Sequence, residues 1–300
     1  MIASAQLAAA RAQLADCRLC PRDCRVDRNT SAGGAFCRLG AEAWVYKELL
    51  TLGEEPLVSP SWLLDLGGCS WRCLFCSEWR HVVEPRAAPA VLLSPAWFVP
   101  RLQRRRQQGA RSLTWAGGEP VVSLPAVLAA MAEVPREDWL PVVWKSNGLL
   151  AESALALLDG WVAVFNIDAK FGPGGCARRL AGASLSPWPQ LARLAEMARP
   201  PAGWPPLIVR HLVMPGHVDC CTRPVLAELA QVRPGAALNL MTGYLPAGPA
   251  ADGVATVAEL GRLPTRCELD AALDAARALP LEVWLDGRPL GGRGLAPHQR

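Results

Sequence analysis

From Trp62 onward the chain alternates short apolar runs with longer segments of mixed polarity. The apolar runs fall at 62–66, 111–116, 141–146, 161–168, 206–213 and 236–241, and suit strands buried on both faces. The intervening segments predict helices near 95–108, 124–132, 151–159, 188–198 and 223–231. Start signals support them. Ser94-Pro95 and Ser186-Pro187 each place a capping hydroxyl before a first-turn proline, and Thr222 precedes Pro224. Thr265-x-x-Glu268 forms a capping box for a last helix to about Ala278, followed by a closing strand from Leu281 to Leu285. Upstream, residues 3–15 predict a short helix, and Trp44 to Pro60 is mixed, with Gly53-Glu54-Glu55-Pro56 marking a loop. Six successive βα units imply an α/β fold with a parallel sheet covered by helices. Such sheets carry their sites at the carboxyl ends of the strands.

Half of the 300 residues are apolar, enough for a sizeable core. The formal charge of +4 is too mild to argue for a nucleic-acid partner. No run of about 18 apolar residues suggests a membrane span. Met1 to Ala15 lacks the basic and apolar regions of a secretory signal, so a cytoplasmic protein is expected. Arg101-Leu-Gln-Arg-Arg-Arg106 reads as a solvated helix face; a docking patch for an acidic partner is the sharper alternative. The proline-rich stretch 199–206 is a loop, and Pro246 to Gly253 is expected to be a mobile loop near the site.

Eleven cysteines change the picture. Most of them cluster, which in a chain without a secretory signal reads as metal binding in a reducing compartment. Cys69-Ser-Trp-Arg-Cys73-Leu-Phe75-Cys76 offers three thiolates within eight residues, after a Gly67-Gly68 break. Three ligands are one short of a closed zinc site or a completed cubane cluster. An iron without a protein ligand is where chemistry can occur. A zinc site completed from elsewhere and buried structural thiols are the plainer alternatives, and the odd number of cysteines argues against a disulfide framework. A second group, Cys17, Cys20, Cys24 and Cys37, has the spacing C-x2-C-x3-C-x12-C and suffices for a four-thiolate site of zinc or of iron and sulfur. Reduced free cysteines in a loop are the alternative. Arg22, Arg25 and Arg28 either offset the charge of such a site or form an ordinary surface.

Polar motifs stand at the predicted strand ends. Gly117-Gly118-Glu119-Pro120 follows the second strand and Lys145-Ser146-Asn147-Gly148 ends the third. At the end of the fourth, Asp168 and Lys170 share one face of an extended backbone. Arg210 lies inside the apolar fifth strand, where a cation is costly unless paired, so it reads as site-facing. His211 points the other way and reads as structural; His217 follows in the loop. The sixth strand ends at Leu240-Met241, with Thr242-Gly243-Tyr244 beyond.

The three-cysteine motif, with aromatic Phe75 before its last cysteine, resembles that of the radical S-adenosylmethionine (SAM) superfamily. Together with Cys17–Cys37, Gly117–Pro120, Asp168–Lys170 and Arg210–Gly216, it resembles the pyruvate formate-lyase activating-enzyme group with an N-terminal four-cysteine motif. The resemblance covers nearly the whole chain. It implies a partial (βα)6 TIM-type barrel over 46–300, with a small Cys-rich metal-binding segment over 1–45. It implies a [4Fe–4S] cluster on Cys69, Cys73 and Cys76 whose fourth iron chelates SAM. Phe75, Gly117, Gly118, Glu119, Asn147, Asp168, Lys170, Arg210, Met241 and Tyr244 are then expected around SAM, with Glu119 near its amino group and Lys170 and Arg210 near its carboxylate. The implied reaction is reductive cleavage of SAM to methionine and a 5′-deoxyadenosyl radical, with flavodoxin or ferredoxin as donor. The radical would attack a glycine of a partner enzyme, or a peptide or small molecule; a non-catalytic metal-binding protein is the third reading. Two departures from the group stand out. Lys145 replaces an acidic residue, and Tyr244 stands where a histidine is found.

Overall fold

The computed structural model describes residues 2–52, 55–183, 188–231 and 235–290. One ten-stranded sheet runs through it. Its strands are β1 (Trp44–Thr51), β2 (Ser61–Leu66), β3 (Val91–Leu92), β4 (Ser112–Gly117), β5 (Val142–Ser146), β6 (Val162–Asp168), β7 (Leu207–Leu212), β8 (Ala236–Met241), β9 (Glu282–Leu285) and β10 (Arg288–Pro289). Their order is β10-β9-β8-β7-β6-β5-β4-β2-β1-β3. From β2 to β9 all neighbours are parallel, and β1, β3 and β10 add antiparallel edges. The helices are α1 (Ser4–Ala12), α2 (Trp79–Val83), α3 (Pro95–Gln107), α4 (Leu124–Ala132), α5 (Glu152–Leu158), α6 (Cys176–Ala181), α7 (Trp188–Met197), α8 (Arg223–Leu229) and α9 (Arg266–Arg277).

Alternation along the strands sorts the residues into two layers. Trp62, Leu64, Trp115, Trp144, Phe165, Val209 and Leu238 belong to the main core shared with the helices. The opposite faces carry Asp65, Lys145, Asp168, Arg210 and Met241, which line a cavity, and Asn166 and Asn239, which are buried. The outer layer therefore holds the fold by apolar burial, and the inner layer is free for polar chemistry. The sheet curls. Glu55, just after β1, accepts a hydrogen bond from Asn239 Nδ2 on β8 at 3.2 Å. Val58 packs against Val143, Val164 and Ile208 on β5, β6 and β7. Its carbonyl takes the Ser112 hydroxyl at 2.6 Å at the start of β4. The segment 55–60 thus plugs the barrel at the strands' amino ends and leaves the carboxyl ends open.

All six expected strands and the closing strand form, as do the expected helices. Ser94 Oγ accepts from Trp97 N at 3.2 Å, and Thr265 and Glu268 make the capping box. The cap proposed at Ser186-Pro187 lies outside the described residues. Thr222 is a correction, because its hydroxyl does not cap α8. It lies on a π-helical turn, Val218–Thr222, and faces His211 Nε2 at 2.9 Å. His211 Nδ1 donates to the Ala169 carbonyl at 2.7 Å, so Nε2 accepts from Thr222. Burial pushes this imidazole down to about 4, which keeps it neutral and structural, as expected.

The stretch read as mixed contains β1, and α2, α6, β3 and β10 were not anticipated either. β1 is an edge-side antiparallel strand with Lys47 and Glu48 at its middle and a register shift between Val45 and Lys47. The bulge breaks the period-two pattern that would have marked it. The basic run on α3 is partly neutralised, since Arg105 bonds Glu48 at 2.9 Å and Arg106 lies 3.5 Å from Asp138. Pro246 to Gly253 is tied down rather than loose. Ala250 N donates to Leu74 O at 2.8 Å, and Gly248 packs on the Cys76 carbonyl. No helix among the described residues is long and apolar enough to cross a membrane.

Candidate active site

A cavity of about 520 Å³ opens at the carboxyl ends of the parallel strands. Cys69, Cys73 and Cys76 all stand on its wall, on the loop that leaves β2. Gly117 ends β4 and Gly118 follows it, Asn147 follows β5, and Asp168 ends β6 with Lys170 just beyond; all five line it too. Arg210 on β7 and Met241 on β8 complete the circuit, with Phe75 beside the cysteines. Residues from six strand ends are therefore brought to one space.

The cysteine loop is held by backbone contacts that only glycine permits. Gly118 N donates to Leu66 O at 2.8 Å, and Glu119 N donates to Gly68 O at 3.0 Å. A Cβ on Gly118 would lie 2.0 Å from Gly68 O. A Cβ on Gly117, whose φ is +109°, would lie 2.2 Å from Leu66 N. Gly118→Ala is expected to displace Gly68 and Cys69 and to leave the purified protein with markedly less iron than wild type. Gly174→Ala, in open space, is the control and should match wild type. Equal iron in all three proteins would contradict this role of the Gly-Gly pair.

Burial pushes the Cys73 thiol up to about 12 and the Cys69 thiol well above its usual value. Three thiols so disposed are poor thiolates alone but suited to a metal centre, whose charge reverses that preference. The Trp71 amide already points at Cys69 Sγ at 3.3 Å. Three soft donors on one short loop, facing a cavity with room beside them, fit an iron–sulfur cluster that keeps one position open.

Further along the same wall, Lys170 Nζ meets Asp168 Oδ2 at 2.5 Å, and Arg210 Nε lies 3.4 Å from Asp168 Oδ1 and 3.5 Å from Glu55. Arg210 also donates to Met241 Sδ at 3.0 Å. Burial alone would raise the Asp168 carboxyl, but Lys170, Arg210 and Lys145 overcome it and hold the group well below the usual carboxylate range. The result is a half-buried, ionised set in which Lys170 and Arg210 flank Asp168 and Arg210 also faces Glu55. It offers cations to an incoming carboxylate, and Asp168 as an acceptor for an ammonium group.

Two of the residues expected around SAM do not line the cavity. The Glu119 side chain is fully buried behind the wall. Its oxygens accept from Asn147 N at 2.8 Å, Ser146 Oγ at 2.8 Å and Val121 N at 3.2 Å, so it braces the turn that presents Asn147. Burial pushes its carboxyl up to about 7 despite those donors. Tyr244 does not line the cavity either. Its hydroxyl donates to Leu260 O at 2.7 Å and its ring packs 6.2 Å from that of Phe75, so it supports the wall from outside. Trp71 is buried on the wall, whereas Trp79 is half-buried away from it.

The cavity also holds charges the sequence reading passed over. Asp65 on β2 faces Lys47 at 3.2 Å, and Lys47 meets Glu78 at 2.6 Å. A carboxylate inside the apolar run 62–66 was the available signal, of the same kind as Arg210.

The N-terminal cysteines lie near enough to influence one another electrostatically. Burial pushes the Cys20 thiol up to about 12, and the charges of Cys37, Cys17 and Cys24 add to it. The segment folds tightly, with Asp23, Arg25 and Arg38 all at positive φ. Arg28 is 1% exposed. Its guanidinium donates to Gly40 O at 2.7 Å and Leu39 O at 3.0 Å, and lies 3.6 Å from Cys17 Sγ. Arg22 instead reaches Ser70 O at 2.7 Å, and Arg25 pairs with Asp23 at the surface. The Cys37 carbonyl packs directly on Gly68, next to Cys69.

The radical SAM superfamily profile matches residues 64–228, over half of the chain. An uncharacterized protein of Methanocaldococcus jannaschii, MJ0674, is 29% identical over 275 residues, covering 90% of this chain and 77% of its own length. The fold is similar to a radical SAM methyltransferase from Sphaerobacter thermophilus, with a TM-score of 0.51 and 12% identity over 76% of this chain and 66% of that one. It is also similar to Streptococcus suis SuiB bound to its precursor peptide SuiA, with a TM-score of 0.47 and 14% identity over 72% and 46% of the two chains. With the cysteine loop and the polar strand ends on one cavity, the profile match makes the assignment plain: this chain belongs to the radical SAM superfamily.

Proposed function

We propose that Cys69, Cys73 and Cys76 hold a [4Fe–4S] cluster in the cavity, that SAM binds between it and the Asp168–Lys170–Arg210 set, and that the enzyme acts in the manner of the pyruvate formate-lyase activating enzymes. The carrying observation is that the three thiols and the paired cations share one cavity wall. When bound, the cluster and SAM supply one-electron cleavage of the sulfonium to methionine and a 5′-deoxyadenosyl radical. The chain's own residues do the rest. Lys170 and Arg210 orient the SAM carboxylate, and Asp168 and the Gly117–Gly118 backbone accept from its ammonium. Trp71 and Phe75, whose rings pack 5.7 Å and 6.1 Å from that of Phe171, keep water from the cysteine side. Cys17, Cys20, Cys24 and Cys37 would hold a second metal centre, a [4Fe–4S] cluster or zinc. Buried Arg28 beside Cys17 supports either, and the packing of Cys37 on Gly68 suits an electron path from flavodoxin or ferredoxin.

The substrate on this reading is a glycine Cα–H of a partner protein. A second reading, a peptide or small molecule, is favoured by Lys145, which adds a cation to the wall where the activating enzymes carry an acid. The test mixes reduced enzyme, SAM and a glycyl-radical enzyme encoded beside its gene. A stable glycyl radical seen by electron paramagnetic resonance supports the first reading. No such radical, with an anionic peptide or metabolite accelerating 5′-deoxyadenosine formation instead, supports the second.

A further inference from the structure

Four soft ligands outside the cavity converge on one point. They are Cys176, His217, Cys220 and Cys221, whose ligand atoms all lie within 4.8 Å of one another. Cys176 Sγ is 3.6 Å from Cys220 Sγ, and Cys220 Sγ is 3.9 Å from Cys221 Sγ. His217 Nδ1 lies 3.1 Å from Cys220, 3.6 Å from Cys176 and 3.9 Å from Cys221. A tetrahedral zinc with bonds of about 2.3 Å to sulfur and about 2.05 Å to nitrogen has S···S edges of about 3.8 Å and S···N edges of about 3.6 Å. The observed separations scatter around those edges. They are set for a single ion, because the thiolates of a multi-iron cluster are spread apart by its core.

The surroundings complete the case. Metal-bound histidines commonly turn their second nitrogen to a carboxylate, which fixes the tautomer. His217 Nε2 lies 3.4 Å from Glu259 Oε1 and 3.4 Å from Arg179 Nη2, and Arg179 in turn holds Glu259 at 2.6 Å. The two vicinal cysteines reach the same point because they lie on the π-helical turn Val218–Thr222. Such turns recur at functional sites.

We propose that these four residues form a Cys3His zinc site that braces the catalytic loop. The link runs through α6. Cys176 is its first residue, and its last two, Leu180 and Ala181, accept backbone hydrogen bonds from Leu74 at 2.8 Å and Arg72 at 3.0 Å, inside the Cys69–Cys76 loop. Six residues are too few for a helix to hold itself. An ion joining Cys176 to the turn after β7 fixes α6, and α6 fixes the loop that carries the three cavity cysteines.

The test uses the full-length protein purified without oxygen. Wild type is expected to hold one more zinc per chain than Cys176→Ser/Cys220→Ser, with Cys267→Ser equal to wild type. Glu259→Gln should weaken zinc about 10- to 100-fold in chelator competition. An independent readout on unmutated protein is alkylation followed by mass spectrometry. Cys220 and Cys267 are both exposed. Cys267 should react at once and Cys220 only after a chelator is added. The proposal is overturned by equal zinc in the double variant and wild type, by iron as the metal lost, by a Cys176–Cys220 disulfide in the native chain, or by Cys220 alkylation that is indifferent to chelator.

Discussion

Replacing Cys69, Cys73 and Cys76 together by alanine removes about four irons per chain and abolishes SAM cleavage. Among the described residues, these three are the only cysteines that line the cavity. Their loop is held by Gly118 N on Leu66 O, Glu119 N on Gly68 O and the α6 carbonyls, none of which involves a cysteine side chain. The variant should therefore keep its fold, and circular dichroism should report wild-type secondary structure. Iron quantified with protein concentration checks the first part, and chromatography of 5′-deoxyadenosine checks the second. Loss of iron from Cys17, Cys20, Cys24 and Cys37 variants while cleavage persists would separate the two cysteine groups.

Arg210→Ala and Lys170→Ala should keep the iron and lose SAM. Each removes a cation facing the ligand carboxylate, worth about 1.5–3 kcal/mol as a charged hydrogen bond, or about 10- to 100-fold in affinity. Arg210 should show the larger effect. It is 6% exposed and stands between Asp168 and Glu55, so its removal leaves two carboxylates facing a third. Arg210→Lys, which keeps the charge but loses the fork, should fall between. Equilibrium binding to anaerobically reconstituted protein reads this directly. Unchanged affinity in both alanine variants would mean that SAM lies elsewhere in the cavity.

Much of this arrangement is legible in the chain. The parallel strands announce themselves because helices cover one face and the plugged barrel covers the other, so their sequences are apolar throughout except where a residue serves the cavity. Arg210 is conspicuous for that reason, and Asp65 would have been found by the same logic. β1 is obscured by its bulge and by Lys47 and Glu48, which an edge-side strand tolerates. Side-chain direction is harder to read than position. Glu119 occupies the expected place, yet backbone N–H groups at 121 and 147 draw its carboxylate away from the wall. Tyr244 lies past the end of β8, where the return to Leu260 decides its contact. The Cys176–His217–Cys220–Cys221 group was invisible as a group because its members lie on two βα connections, with Cys176 and Cys220 44 positions apart.

The most direct measurement is the yield of 5′-deoxyadenosine from anaerobically reconstituted, dithionite-reduced protein given SAM and no other substrate. The arrangement of Cys69, Cys73 and Cys76 against Asp168, Lys170 and Arg210 predicts 5′-deoxyadenosine and methionine in equal amounts from wild type and neither from the triple cysteine variant. A wild-type protein that carries its iron and binds SAM but yields no 5′-deoxyadenosine, or a triple variant that still yields it, would contradict the account.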